Sequence, residues 1–412
     1  MDRVFTLRDG ELHAEEVPLS AIAAAAGTPC YVYSRAALER GFSAWQSAFG
    51  ARGHRVCYAV KANSSLAVLK LIADLGGSFD IVSEGELARV LAAGGDAAGV
   101  TFAGVGKREA EIAAALSAGI GCFNIESEGE LERINMVAAR LDKRAPVALR
   151  VNPDVDPQTH PYIATGLRES KFGVPTEAAP ALYRRIDALP NVTAVGVACH
   201  IGSQITSIEP FADAVKKVVE LAKQLEAQGN EIAHIDVGGG LGIRYRDEQP
   251  PDVAALVAAI CAAVPERFTV HVEPGRSIAG PAGVLLTRVE YLKHAPERNF
   301  AIVDAAMNDL LRPALYQAWH ACSPVVPRAG STVSYDVVGP VCETGDFLAQ
   351  QRDLDIETGD LLALGDAGAY GFVMASNYNS RPRPPEVLVD GDRFREIRRR
   401  ETCDDLMAGE LL

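Results

Sequence analysis

The chain contains no CxxC pair and no Cys, His or acidic cluster at metal-ligand spacing. Its eight cysteines are read as reduced thiols, most of them small buried hydrophobes, rather than as a disulfide scaffold or a zinc module. No stretch approaches the ~18 consecutive apolar residues of a membrane span. Glu11, Glu15 and Glu16 precede the short apolar stretch 21–26, where a signal peptide would want basic residues, so a cytoplasmic location is expected. Positive charge is in deficit: 40 Lys and Arg face 54 Asp and Glu, a net charge of −14. That argues against nucleic acid or an anionic membrane as a partner, since both need a basic surface. It leaves room for an anionic substrate held by a few arginines. A Walker motif and the GxGxxG spacing of dinucleotide folds are also missing.

What the chain does have is length, apolar residues and a repeating pattern. At roughly 150 residues per domain, 412 residues make two or three domains, or a large α/β barrel with an addition. Apolar residues make up 48% of the chain, enough for a sizeable core. Eight β-rich runs, at 55–61, 78–83, 100–104, 121–127, 147–152, 193–200, 234–238 and 268–273, alternate with Ala/Leu/Glu-rich helical stretches. Strand–helix alternation implies a parallel sheet, and eight units imply a closed (β/α)8 barrel, with an open doubly wound sheet as the alternative. Two helix starts repeat, Ser83-Glu-Gly-Glu-Leu87 and Ser127-Glu-Gly-Glu-Leu131, each in capping-box form. Beyond about residue 281 the runs 283–291, 300–304, 331–338 and 360–364 read as strands with few helices between them, and 4–7 and 11–14 form another strand-like pair. The expected fold is α/β: a (β/α)8 barrel over 30–280, plus a mostly β domain from 1–29 and 281–412.

Active sites of such barrels lie at the carboxyl ends of the strands. Those ends carry Lys61, Asp80 and Ser83, Arg150 and Asn152, His200 and Ser203, Gly238, Gly239 and Gly240, and Glu273 with Arg276. Alternation places Lys61 on one face with Cys57 and Ala59. A lysine on a crowded interior face is costly unless used, and burial lowers its pKa toward Schiff-base chemistry; the plain alternative is a lysine snorkelling at a strand end. The turn Ile235-Asp-Val-Gly-Gly-Gly-Leu-Gly242 lets backbone amides close on a phosphate, or is simply a tight turn. His200 reads either as a satisfied core histidine or as a platform for a cofactor ring.

Seven motifs together resemble the diaminopimelate decarboxylases, within the alanine-racemase-like class of pyridoxal-phosphate enzymes. They are Tyr58-Ala-Val-Lys-Ala-Asn63, Cys199-His-Ile-Gly-Ser-Gln204, Gly238-Gly-Gly-Leu-Gly242, Glu273-Pro-Gly-Arg276, Met307-Asn-Asp-Leu-Leu-Arg-Pro-Ala-Leu-Tyr316, Cys342-Glu-Thr-Gly-Asp346 and Ala367-Gly-Ala-Tyr370. Thr344 stands where a serine is common. The resemblance implies that Lys61 carries pyridoxal 5′-phosphate and that His200 stacks on its ring. Gly239, Gly240 and Glu273-Pro274-Gly275-Arg276 would hold its phosphate, and Glu273 would also face the pyridine nitrogen. Asp80, Arg150, Ser203 and Tyr370 complete the expected cofactor contacts. Arg276, Arg312 and Tyr316 would grip a distal carboxylate, Glu343 a distal ammonium, and Tyr370 both substrate and cofactor; Cys342 is the candidate acid. The reaction implied is decarboxylation of meso-diaminopimelate to L-lysine and CO2, the last step of lysine biosynthesis. Cys342 and Glu343 would reach the site from the other protomer of a homodimer.

Glu273 favours a decarboxylase over a racemase, because a carboxylate at the ring nitrogen keeps the proton that makes the ring a full electron sink. Decarboxylases of ornithine, arginine or D-lysine are the rivals within the class; their substrates lack the carboxylate that Arg312 would read. A pyridoxal-phosphate carrier without turnover would be a bare barrel, and a metal-dependent barrel enzyme would need the ligand cluster this chain lacks.

Overall fold

A computed structural model describes residues 4–156, 165 and 170–412. The chain divides into two compact units: Gly41–Ile243 with Gln249–Ser277, and Met1–Arg40 with Arg244–Glu248 and Ile278–Leu412.

The first unit is the barrel. Its strands are His54–Ala59, Ser78–Ile81, Val100–Phe102, Cys122–Ile125, Ala145–Asn152, Val192–Ala198, His234–Asp236 and Thr269–Val272, all parallel in chain order. The eighth pairs with the first, Val272 opposite Val56, and closes the ring, which sets the open-sheet alternative aside. Strand alternation sorts the side chains. Phe79, Phe102 and Phe123 are fully buried on one face of neighbouring strands. Small or polar residues take the other, where Cys122, Ala148 and Ala198 cluster. Both repeated helix starts are capped, Ser83 accepting from the Glu86 N–H and Ser127 from the Glu130 N–H. The return bond of each box differs from expectation. Glu86 accepts from Val82 at 2.6 Å and Glu130 from Glu126 at 2.9 Å, one residue before the cap.

The second unit is mostly β. Its main sheet runs Phe347–Leu354, Val333–Val338, Asn299–Val303, Gly283–Lys293, Cys30–Ser34, Glu386–Asp390, Arg393–Arg398, with Leu361–Leu364 and Cys322–Pro324 attached beside Gly283–Lys293. Phe5–Arg8, Glu11–Ala14 and Val17–Pro18 make a separate three-stranded sheet. The expected boundary at residue 30 shifts: Cys30–Ser34, buried throughout, pairs on both sides within this unit. Residues 244–248 also leave the barrel unit, because Tyr245 packs edge-on against His320 at 5.4 Å and lies under the Arg312 guanidinium at 4.5 Å. Half of the cysteines are buried, Cys30, Cys57, Cys122 and Cys199, fewer than expected, since Cys342 and Cys403 stand on exposed surface. Among the described residues no helix is long and apolar enough to cross a membrane.

Candidate active site

Lys61 does not end the first strand but sits in the 3-10 turn Val60–Ala62 that follows it. The turn is closed locally: the Tyr58 hydroxyl donates to Asn63 O at 3.1 Å, and Asn63 Oδ1 accepts from Ser65 N at 3.0 Å. Register explains the lysine's partner. Ala59 stands opposite Asp80 on the second strand, so the two strand ends bring the Lys61 ammonium onto Asp80 Oδ2. The Lys61 side chain is about one-third exposed while that of Asp80 is fully buried. Among the described residues Asp80 Oδ1, also buried, meets no hydrogen-bond partner.

The ends of strands seven and eight supply the glycine turn and Glu273. Glu273 N donates to Gly238 O at 2.9 Å, and Gly238 N donates to Asp236 Oδ1 at 2.9 Å. A Cβ on Gly239 would stand 2.0 Å from the Glu273 carbonyl oxygen, and one on Gly240 2.3 Å from that of Gly202, at a φ of +115°. Only bare backbone fits these positions. His200 Nδ1 accepts from Gly239 N at 3.2 Å, and burial holds this imidazole well below its ordinary pKa, aided by the charges of Arg150 and Lys61. It is therefore neutral, with its proton on Nε2. The Glu273 carboxyl is pushed well above the carboxylate range by burial and by the negative charges of Asp236 and Asp80. Pro274 O accepts from Ala59 N at 3.0 Å, and a Cβ on Gly275 would meet that of Ala62 at 2.8 Å, so this segment lies against the Lys61 turn. Arg276 Nη2 donates to Ser203 Oγ at 3.1 Å.

Arg150 is anchored by a residue that the sequence reading missed. Its Nη1 donates to Glu126 Oε1 at 2.9 Å and its guanidinium lies 4.7 Å from the Phe172 ring centroid. Buried Glu126 also accepts from Gly104 N at 3.1 Å and Gly173 N at 2.8 Å, so one carboxylate ties three strand-end segments together. The barrel thus gathers Lys61, Asp80, Arg150, His200, Ser203, Gly239, Gly240 and the 273–276 segment at one end, the carboxyl ends of its strands.

In the β unit, Arg312 begins the short helix Arg312–Tyr316 and is buried. Its Nη1 donates to His320 Nε2 at 3.0 Å, while His320 Nδ1 donates to Gly365 O at 2.7 Å. Tyr316 is half-buried, and Tyr370 is held at a φ of +55°. Cys342 and Glu343 are exposed on a loop whose base is fixed by Asp346, which accepts from Met307 N and Val341 N, each at 2.7 Å. The Glu343 carboxylate holds the Tyr378 hydroxyl above its ordinary phenol range, and Cys342 N donates to Asn379 Oδ1 at 3.0 Å. Asp346 was legible only as the last letter of a motif; His320, Tyr245 and Tyr378 carried no signal in the sequence.

The barrel residues fit pyridoxal phosphate: an amine for its aldehyde beside a buried carboxylate, a second buried carboxyl held above the ordinary carboxylate range, and glycine backbone too tight for any Cβ. Residues 35–280 match the pyridoxal binding domain of the pyridoxal-dependent decarboxylases, which sets the class. Among curated proteins the chain is 58% identical to the diaminopimelate decarboxylase of Pseudomonas aeruginosa over 99% of both chains. It is 54% identical to that of Vibrio cholerae over 100% of this chain and 99% of the relative. The crystal structure of diaminopimelate decarboxylase from Helicobacter pylori complexed with L-lysine superposes with a TM-score of 0.92 at 40% identity, covering 95% of this chain and 98% of that one. The chain belongs to the diaminopimelate decarboxylase family, as its seven motifs imply.

Proposed function

We propose that this chain removes one carboxyl group of meso-diaminopimelate as CO2 and releases L-lysine, using pyridoxal phosphate held on Lys61. The observation that carries the reading is the Lys61–Asp80 pair at the mouth of the barrel, beside the glycine turn and the buried Glu273. When bound, pyridoxal phosphate supplies an electron sink for the pair left on Cα as CO2 departs.

The chain's own residues do the rest. Asp80 holds the Lys61 amine in place. Gly239, Gly240 and the backbone of 273–276 offer amides to a phosphate, and Ser203 orients Arg276. Neutral His200, tied through Nδ1 to Gly239, presents a flat face without adding charge. Glu273 would face the ring nitrogen, and Arg150 would lend positive charge to that end of the barrel. Arg312, Tyr316 and Arg276 take the distal carboxylate of the substrate, and Glu343 its distal ammonium. Tyr370 would lie against both substrate and cofactor. Cys342 delivers the proton that replaces CO2. Cys342 and Glu343 act on the site of the partner in a cytosolic homodimer.

The reading is tested by CO2 release from the loaded protein on meso-diaminopimelate, L-lysine, L-ornithine and D-lysine. Release from meso-diaminopimelate alone is expected; comparable release from ornithine or D-lysine would move the chain to the rival decarboxylases. Lys61→Ala should abolish the borohydride-stable pyridoxyl-lysine. An adduct surviving at another lysine would withdraw Lys61.

A further inference from the structure

We infer that Asp236 is a positioning residue that stores on Glu273, as a shared carboxyl pair inside the barrel, the proton required by the ring nitrogen of the cofactor. The inference rests on the assignment of Glu273 to that nitrogen and deepens it.

Asp236 and Glu273 leave the same face of neighbouring strands, Asp236 standing opposite His271 and Glu273 two residues further on, and both are buried; Gly238 joins them, its N–H donating to Asp236 Oδ1 and its carbonyl accepting from Glu273 N. Two ionised carboxylates buried side by side repel, and neither can donate to the other, so one of the pair keeps a proton. Its owner follows from the other contacts. Asp236 Oδ1 accepts from Gly238 N at 2.9 Å and its Oδ2 faces Asn124 Nδ2 at 3.4 Å. Both oxygens of Asp236 are engaged as acceptors, so the proton belongs to Glu273. Burial pushes both carboxyls upward, and the negative charge of Asp80 adds to the effect.

The other groups around Glu273 do not take over this role. Asp80, from the second strand, is bound to Lys61. His200, after the sixth, has Nδ1 at 3.8 Å from Glu273 Oε2, but that nitrogen accepts from Gly239 N. Cys57 on the first strand and Cys199 beyond the sixth are kept as thiols by burial. Loading then balances without solvent: the O–H bond of Glu273 breaks, an N–H bond forms on the ring, and Glu273 is left as a carboxylate beside the cation it created.

Asp236→Asn separates this device from a purely structural one. The amide oxygen can still accept from Gly238, while the amide N–H now donates to Glu273 and leaves it ionised before loading. The ring proton must then come from solvent. Titration calorimetry of the cofactor-free chain with pyridoxal phosphate, in two buffers of different ionisation enthalpy, should show close to one more proton taken up by Asp236→Asn than by wild type. Protons released at Lys61 are common to both and cancel. Above neutral pH, affinity in the variant should fall about tenfold per pH unit relative to wild type, as one linked proton requires. Equal proton uptake in the two chains would overturn the proposal. Infrared difference spectra of wild type provide a second measurement that does not depend on the variant. A protonated-carboxyl band, absent from Glu273→Gln, should disappear on loading; no such band in the cofactor-free chain would also overturn it. Glu273→Gln separates the premise from the inference. If the visible spectrum of its bound cofactor matches wild type, Glu273 does not face the ring nitrogen and both fall. If the spectrum changes while proton uptake in Asp236→Asn stays at the wild-type value, only the proton store falls.

Discussion

Arg312 is a long cation in a buried place, where its Nη1 donates to His320 Nε2 at 3.0 Å and its guanidinium lies 4.5 Å from the Tyr245 ring centroid. Both contacts orient the guanidinium, and a guanidinium takes a carboxylate in two-pronged fashion. Losing a hydrogen bond to a charged group costs about 1.5–3 kcal/mol, or roughly 10–150-fold. Arg312→Ala should therefore lower kcat/KM on meso-diaminopimelate by at least that factor while the affinity for pyridoxal phosphate stays near wild type. Steady-state kinetics beside a cofactor titration decide it, and unchanged kinetics would remove Arg312 from the substrate site. His320→Ala should reproduce part of the loss, mainly in KM, because the guanidinium survives but is no longer aimed. At this scale the sequence was informative where a residue is costly without a use, as for Lys61 beyond an apolar strand. It was silent where the cost appears only once strands are neighbours. Asp236 lies inside the very segment weighed for its glycines, yet its partner Glu273 is an adjacent strand's residue. Glu126, next to the Ser127 cap, gains its three partners only from barrel closure.

Elements show the same division between local chemistry and closure. Gly129 lies near the start of the helix Glu128–Arg140, with nothing within 4 Å of an added Cβ, whereas one on Gly239 would stand 2.0 Å from a carbonyl oxygen. Gly129→Ala should be neutral to stabilising by up to about 1 kcal/mol, from helix propensity. Gly239→Ala should destabilise by roughly 1–3 kcal/mol, as overpacking does, and weaken the binding of pyridoxal phosphate; thermal unfolding of the two variants reads the contrast. Strands seven and eight also carry a stacked pair of buried histidines, His234 and His271, with ring centroids 4.0 Å apart. Burial, with the charge of Arg55, lowers His234 from 6.5 to about 4, and burial and His234 hold His271 well below 6.5. The unfolded chain therefore binds protons at these imidazoles before the folded chain does. Their stabilisation is complete above 6.5 and is lost as pH falls from there through the folded value. The raised carboxyls of Asp236, Glu273 and Asp309 act in the opposite sense, so the imidazole share is read as a difference. Below pH 6.5, wild type should lose up to ~1.4 kcal/mol per pH unit more than His271→Phe. Urea unfolding near neutrality and at about pH 5 measures it, and parallel losses in the two chains would contradict it.

At the scale of the whole molecule, all eight barrel strands were legible because each apolar run is local and bounded by a helix pattern. The β unit was legible only in part. Cys30–Ser34 and Glu386–Asp390 pair with each other from opposite parts of the chain, so their place follows from the finished sheet, while Phe347–Leu354 and Arg393–Arg398 pair with the strands just before them but were not read as strands. Of the residues proposed to act, Lys61 and Glu273 belong to one unit and Arg312, Cys342 and Glu343 to the other. Such a site can be completed within one chain or across a two-fold axis, and a symmetric dimer in the second case builds two equal sites. Complementation separates the cases. Lys61→Ala and Cys342→Ala homodimers should each be nearly inactive. After mixing and re-association, random pairing makes about half of the dimers heterodimers, each with one intact and one doubly defective site, so activity should recover to roughly a quarter of wild type per protomer. Co-purification of differently tagged chains shows whether exchange took place. With exchange established, activity that stays at the level of the separate variants would place each site within one chain. Full activity of Cys342→Ala by itself would remove that thiol as the acid and pass the same test to Glu343→Ala, whose exposed carboxylate sits on the same Asp346-braced loop.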